Sequence, residues 1–503
     1  MTLISQEYHQ LTSYQRNQMS QYSLDWRNQP STFKTYQNLE LIPLPREVQH
    51  DNEKLSNVLN RSSKKNDAVA LEILDLSRIL SLAYSITGRA PYGDDYHYYR
   101  SVASAGALYP VEIYVATHDV GGLQDGLYHF SITGHGLVGL RYEDISRWVS
   151  DYLQDIPEKH PALIFFFTTI FFRSAWKYRD RAYRYHLLDT GHLIENLAVA
   201  LKSQALPFCL SYDFDDQAIN RMLGLDETRE VSLAVCQVLG LDMLKRGVGK
   251  KDIAKLMDSI KGASRVSNKE YAYPAISDMH MAGIIKVPAA RATAHRLDPV
   301  CATSGRIEKI KSSAPWPEKM NYEDAFLLRR SHRNFISTLL SRKYMMALLE
   351  CITMTYRIIP SENEYQHSVQ AGFITGKVEG FDPGFYLIDE IESSFGMVDP
   401  GSFTGLMASI CLDQKWLKNA AVHFLFITDL KKLEQYYGPR SYRYAMLQSG
   451  RLGERLYLAA TAMGLGCCGV GAFYDKEAAQ LLKLREGSKL LYIVAVGLVK
   501  QRG

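Results

Sequence analysis

The chain has 503 residues, 46% of them hydrophobic and 22% charged, with a formal net charge of +4. That length allows roughly two to four domains of ~100–200 residues, and the small, scattered charge excess gives no reason to expect a nucleic acid or an anionic membrane as partner. The longest mostly apolar run, Ala162 to Phe172, is far short of the ~20 residues a membrane-spanning helix needs.

In chain order, residues 1–56 are polar and aromatic, ending near Ile42-Pro43-Leu44-Pro45, and predict an arm or small helix that packs on something else. The N-terminus lacks a basic segment followed by an apolar one, so no signal peptide is expected. Seven scattered cysteines without a C-x-x-C pair read as reduced core residues of a cytoplasmic protein.

Leu71–Ile86 has helical spacing. Val111–Ala116 and Leu163–Phe167 predict strands, and Gly126–Phe130 with Thr133–Gly136 predicts a hairpin. Tyr183–Leu201 reads as a long helix and Val231–Val235 as the strand that closes this region.

Tyr183-Arg184-Tyr185, Leu188, Gly191, Leu193, Glu195 and Leu197 recur 259 residues later as Tyr442-Arg443-Tyr444, Leu447, Gly450, Leu452, Glu454 and Leu456. Solenoid repeats run to ~20–50 residues, so this is a duplicated domain. The second copy repeats the order with a helix near Lys343–Thr353, strands Gly384–Ile388 and Val422–Thr428, a helix Tyr442–Met463 and a strand Leu490–Val496. The predicted division is an arm at 1–56, a first domain at 57–246, a linker at 247–318 without strong period, and a second domain at 319–503. The fold class is α+β, a mostly antiparallel sheet flanked by helices in each copy, with the copies expected to form an intramolecular pseudo-dimer.

Three segments carry chemistry. Arg329–Phe335 offers guanidinium groups and a hydroxyl that can converge on a phosphate. Arg100–Pro110 is rich in small residues that let the backbone approach a planar ligand. Gly464–Phe473 predicts a Gly-rich turn after the long helix, without the spacing of a nucleotide-binding loop. His9, His97 and His129 have no metal-site spacing, and no metal is expected. His192 and Glu195 read as packing groups on the long helix, with Asp189 at i, i+3 from His192.

Together these segments resemble the flavin-dependent nitroreductase superfamily, close to the SagB-type dehydrogenases of thiazole/oxazole-modified peptide biosynthesis. The residues that carry the resemblance are Tyr8-His9, Lys34-x-Tyr36, Pro43-Leu44-Pro45, Ser104–Pro110 and Arg173–Asn196. The resemblance implies FMN as cofactor and tandem nitroreductase-like domains.

It further implies a division of labour between the copies. The second would supply Arg330, Ser331 and Arg333 for the phosphate, the segment Cys467, Cys468 and Gly469, and the basic tail Lys500 and Arg502. The first would supply Ser104, Ala105, Gly106 and Leu108 against the flavin ring. The counterparts have decayed to Arg61-Ser62-Ser63-Lys64, Pro207–Tyr212 and a segment like Ser368–Phe373, so one composite FMN site per chain is expected.

In SagB-type enzymes an adjacent Lys-Tyr pair is associated with catalysis, which matches Lys177-Tyr178; the second copy has Tyr436-Tyr437 instead. Free Lys and Tyr titrate near ~10, and either can move the ring proton if its pKa falls, with Arg173, Arg179 and Arg181 near in sequence. The implied reaction is oxidation of a thiazoline or oxazoline ring to an azole in a peptide or carrier-bound intermediate, with oxygen reoxidising the flavin and a cyclodehydratase or other biosynthetic enzyme as partner. Further oligomerisation stays open. Two other readings fit the same residues: an NAD(P)H-dependent nitro- or quinone reductase, and a catalytically quiet flavin-binding subunit of a biosynthetic complex.

Overall fold

The structure is a computed structural model. It describes residues 4–19, 22–46, 51–61, 70–93, 95–154, 157–243, 256, 258–286, 297–303, 305, 307–311, 315–358 and 367–500. The chain divides into two units. One holds residues 23–50 and 61–292, the other residues 1–22, 51–60 and 293–503.

Each unit is built on a seven-stranded, wholly antiparallel sheet flanked by helices. The first sheet runs in the order Leu41–Pro43, Gly136–Arg141, Gly126–Ser131, Val111–Thr117, Lys159–Ile170, Glu230–Met243, Phe208–Ser211. The second repeats that order with Ile307–Lys309, Ser394–Pro400, Gly384–Asp389, Gln370–Thr375, Val422–Asp429, Ser488–Gly497, Gly466–Val470. The duplication read from the repeated signature is thus a strand-for-strand duplication.

Central strands are apolar on both faces. Leu163 to Phe167 and Val422 to Ile427 contain fully buried residues throughout because helices cover both sides. The long helices Ala182–Ser203 and Ser441–Ala462 are each 22 residues and buried nearly all round. A helix this enclosed must satisfy its own polar side chains. Thr190 and Ser449 do so by donating to the carbonyls of His186 and Ala445, four residues back.

Several expected details differ. The predicted arm at 1–56 is split: its helix Ile4–Leu11 belongs to the second unit, where Ser5 N–H donates to Glu434, whereas Lys34 is buried in the first unit. The segment 247–318 carries the helices Asp258–Gly262 and Pro274–Ala282 and the edge strand Ile307–Lys309. The predicted Gly-rich turn is mostly strand. The helix ends at Ala462, Gly464 turns the chain with φ of +71°, and Gly466–Val470 then pairs with Ser488–Gly497. Ser368–Phe373 likewise enters the strand Gln370–Thr375, which pairs with Val422–Asp429, rather than forming a loop. In both cases pairing with a long neighbouring strand decides the structure over local composition.

Candidate functional site

The first unit brings together the Ser104–Pro110 loop and the Lys177-Tyr178 pair. The loop is tightly wound: Gly106, Ala107 and Tyr109 have φ of +63°, +52° and +47°. A methyl group placed on Gly106 would lie 2.7 Å from Tyr178 Oη and 3.2 Å from Lys177 Nζ. Only glycine suits this position, because its conformation is left-handed and both side-chain tips press on it. Lys177 and Tyr178 end the helix Phe171–Tyr178, and Arg179 leaves that helix with φ of +49°.

The loop is held from below by the long helix. Asp189 accepts hydrogen bonds from Ser104 Oγ at 2.6 Å and from the Ala105 N–H at 3.1 Å. Ser104 Oγ in turn accepts the Tyr109 N–H at 2.9 Å, which closes the loop on itself. Burial pushes the Asp189 carboxyl up to about 7, and its bonds to Ser104 and Ala105 only partly oppose that shift. Leu108 is buried with Ile170, Phe172, Trp176 and Val266, and Tyr178 packs against this cluster. Leu108 therefore acts through packing.

Arg173 ties the loop's far end to the sheet. Its fully buried guanidinium donates to the Tyr109 carbonyl at 2.9 Å and to Glu112 at 2.5 Å. Burial works upward on the Glu112 carboxyl, but Arg173 and His129 outweigh it and hold it at about 2. Lys34 makes the matching tie on the next strands. Its ammonium pairs with Glu230, fully buried, and donates to Tyr114 Oη at 2.7 Å. Beside the loop lies a cleft of ≈ 960 Å³ whose lining includes Arg27, His97, Tyr98, Ala107, Arg265 and Asn268. Burial and then the Lys177 ammonium lower the His97 pKa, so this imidazole favours its neutral form.

The second unit brings together the basic segment, the Gly466–Val470 strand and the tail. Ser331 bridges Cys467 in parallel, and the His332 N–H donates to the Cys467 carbonyl at 2.8 Å. On the other side, the Lys500 N–H donates to the Asn334 carbonyl at 3.2 Å, and Asn334 Nδ2 donates to the Lys500 carbonyl at 3.0 Å. Tyr457 pins the arrangement from the long helix: its hydroxyl accepts the Gly469 N–H at 2.6 Å and lies 2.9 Å from Ser331 Oγ.

Ser331, Arg333 and Lys500 are exposed, and Arg330 is half-buried with its guanidinium donating to the Leu327 and Arg329 carbonyls. Two exposed cations and an exposed hydroxyl in one strip form the donor chemistry that a phosphate requires. Cys467 and Cys468 are buried, and burial raises both thiols above their ordinary range, so neither is poised as a thiolate. Arg502 lies outside the described residues, as do Ser62 and Lys64 of the first copy's decayed cluster. Arg61 is described: it donates to the Lys202 and Ser203 carbonyls, where it caps the long helix.

Sequence reasoning passed over Asp189 as a partner of the loop, Arg173 as its tie and Tyr457 as the pin. All three lie on buried helical faces. A carboxylate or guanidinium in an otherwise apolar helix is the signal that marks such residues, since they are rarely buried unpaired.

The Nitroreductase family model matches residues 61–240 and 328–498, which together make up most of the chain. Among curated relatives, "Putative nitroreductase MJ1384" of Methanocaldococcus jannaschii is 29% identical over 190 residues, 37% of this chain and 95% of its own. The trifolitoxin-processing protein TfxB of Rhizobium leguminosarum bv. trifolii is 27% identical over 201 residues, 39% of this chain and 48% of its own. The crystal structure of a putative nitroreductase from Anabaena variabilis covers 99% of this chain and 100% of its own at 25% identity, with a TM-score of 0.78. Among the described residues, no helix is long and apolar enough to cross a membrane.

Proposed function

The chain belongs to the Nitroreductase family, with two tandem nitroreductase-like regions, and from that premise we propose that it is a SagB-type, FMN-dependent dehydrogenase that oxidises thiazoline or oxazoline rings to azoles. The substrate would be a peptide or a carrier-bound intermediate, and a cyclodehydratase is the class of enzyme that would supply it. The observation that carries this reading is the convergence of Lys177 Nζ and Tyr178 Oη on Gly106. Similarity to a trifolitoxin-processing protein supports a peptide substrate.

FMN, when bound, supplies the two-electron acceptor that receives the ring hydride. Arg330, Ser331, Arg333 and Lys500 would hold its phosphate, and Ser104, Ala105 and Gly106 would offer backbone against its ring system. Each copy keeps one of these residue sets and has lost the other, which supports one FMN per chain. Aromatising an azoline also releases a proton from ring carbon. Whichever of Lys177 and Tyr178 stands deprotonated would take it, since both side-chain tips press on the loop and each can act over hydrogen-bond distance. Asp189 holds the loop in register with them through Ser104 and Ala105. The neighbouring cleft has room for the residues that flank the ring in a peptide.

Mass spectrometry of an azoline-bearing peptide incubated with the flavin-loaded protein tests the reading. The expected product is lighter by about 2 Da, the mass of two hydrogens. An unchanged peptide together with NADH-driven bleaching of bound flavin would instead support a nitro- or quinone reductase. An unchanged peptide and no bleaching would leave the catalytically quiet flavin-binding subunit.

A further inference from the structure

Three side chains with metal-ligand chemistry meet at the end of the first sheet that lies away from the Lys177 end. His118 follows the strand Val111–Thr117, His160 opens the strand Lys159–Ile170, and Asp144 precedes the helix Ser146–Ser150. One ligand atom from each lies within 4.8 Å of the other two. His118 Nδ1 is 3.2 Å from an Asp144 carboxylate oxygen and 3.3 Å from one of Asp125. The two imidazole rings are 4.0 Å apart between centroids.

This cluster is incompletely satisfied as it stands. His160 is 3% exposed, and Nδ1 of neither histidine has a well-aligned hydrogen bond, that of His118 making only ion-pair contacts with the Asp144 and Asp125 carboxylates. Buried polar atoms are ordinarily paired, so two such imidazole nitrogens in one cluster need an explanation. A cavity of ≈ 20 Å³ adjoins both rings, with Asp119 and Asp242 also on its wall. That volume suits one small occupant such as a water or an ion.

The outer contacts already orient the ligands. Ser146 donates its N–H (2.9 Å) and its hydroxyl to Asp144 Oδ1, and its Oγ lies 3.2 Å from His160 Nε2. Hydrogen bonds of this kind fix ligand orientation around bound metals. We propose that His118, Asp144 and His160 form a structural divalent-cation site, with zinc the ion matched by the two-nitrogen, one-oxygen donor set and the Asp125 carboxylate adjacent for a fourth position.

A tetrahedral zinc site with bonds of ~2.0–2.2 Å spaces its ligand atoms ~3.3–3.6 Å apart, and His118 Nδ1 and Asp144 already stand 3.2 Å apart. The ion would staple strand ends that already share a hydrogen bond, His118 N–H to the Ala162 carbonyl at 2.9 Å, to the helix that follows Asp144. The strand Lys159–Ile170 lies between His160 and the Lys177 helix. At ~3.3 Å per residue, its twelve residues put the site too far away to take part in the proposed chemistry.

The sequence carries no spacing signal for the site, because its ligands come from three separate segments. At the 259-residue offset the second copy has Lys377, Phe403 and Asn419, none of which suits a zinc ion. The site would belong to the first copy alone.

Calorimetric titration of the chelator-treated, flavin-loaded full chain with zinc chloride tests this directly. One saturable equivalent is expected, with a melting temperature that rises with zinc concentration. Affinity should fall at least tenfold in His118→Ala and His160→Ala, and also in Asp144→Asn, which keeps the side-chain volume if a histidine variant fails to fold. No saturable equivalent in the unaltered protein, or unchanged binding in folded His118→Ala and Asp144→Asn, overturns the proposal.

Discussion

The two copies share every sheet strand in the same order, yet they share almost none of the side chains that carry chemistry. The helix Phe171–Tyr178 ends in Lys177-Tyr178, whereas its counterpart Leu430–Tyr437 ends in Tyr436-Tyr437. In the second copy Ser331 rests on Cys467 and Tyr457; in the first, Arg61 is turned to the carbonyls at the end of the long helix. A strand needs only its apolar pattern to persist. Loops, strand ends and helix ends sit outside that constraint and are free to specialise.

The largest expected effect breaks the comparison at its catalytic end. Lys177→Ala and Tyr178→Phe should each lower turnover of an azoline peptide by ~10²–10⁴-fold, the range of a positioned acid or base. Tyr436→Phe, at the second-copy position that matches Lys177, should leave turnover within about twofold, since exposed substitutions rarely matter. Equal losses in Tyr178→Phe and Tyr436→Phe would erase the proposed asymmetry.

A smaller effect sharpens it at the phosphate end. Replacing Arg333 with Gln should weaken FMN binding about tenfold or more, since a charge-assisted hydrogen bond contributes ~1.5–3 kcal/mol. Arg61→Gln should leave flavin content unchanged. The absorbance of bound flavin per chain reads both, and two tightly held equivalents in the unaltered protein would contradict a single site.

Gly106→Ala comes next. A left-handed conformation costs an L-residue ~1–2 kcal/mol, and here the new methyl group would also displace Tyr178 Oη. Turnover should fall more than flavin content does, because the displaced groups are Lys177 and Tyr178. Steady-state kinetics alongside flavin absorbance separates the two, and parallel losses would reassign Gly106 to cofactor retention.

Most central strands, both long helices and the hairpin were legible because each has a strong period and buried apolar residues; Gln370–Thr375, a central strand of the second sheet, was not. Edge strands were not. Leu41–Pro43 and Ile307–Lys309 are three residues each, too short for any period to show. Glycine misled in the other direction: Gly466–Val470 looks like a turn, but its glycines let it lie close to Val499 and Tyr492 as an edge strand. The loop and the Lys-Tyr pair were visible as separate segments. Their meeting was not, because Gly106 and Lys177 are distant in sequence and no local pattern connects them. The loop precedes the strand Val111–Thr117, and the Lys177 helix follows the strand Lys159–Ile170. Only the antiparallel pairing of those two strands brings loop and helix to the same end of the sheet.

The smallest effect concerns Asp189, whose counterpart at the same offset is Gln448, a buried amide that does not titrate. Burial raises the folded-state pKa of Asp189 to about 7, against an ordinary value of 3.8. The folded chain therefore keeps a proton that the unfolded chain gives up. Stability from this group is fully present below about pH 4 and is lost as pH rises towards about 7, after which it no longer changes. Asp189→Asn makes the first copy resemble the second and removes that dependence. Between pH 5 and 8 the melting temperature of the unaltered protein should fall a few degrees more than that of the variant, at ~2–4 °C per kcal/mol for a domain of this size. Thermal melts across that range decide it, and identical slopes would mean that Asp189 is already ionised beneath the Ser104–Gly106 loop.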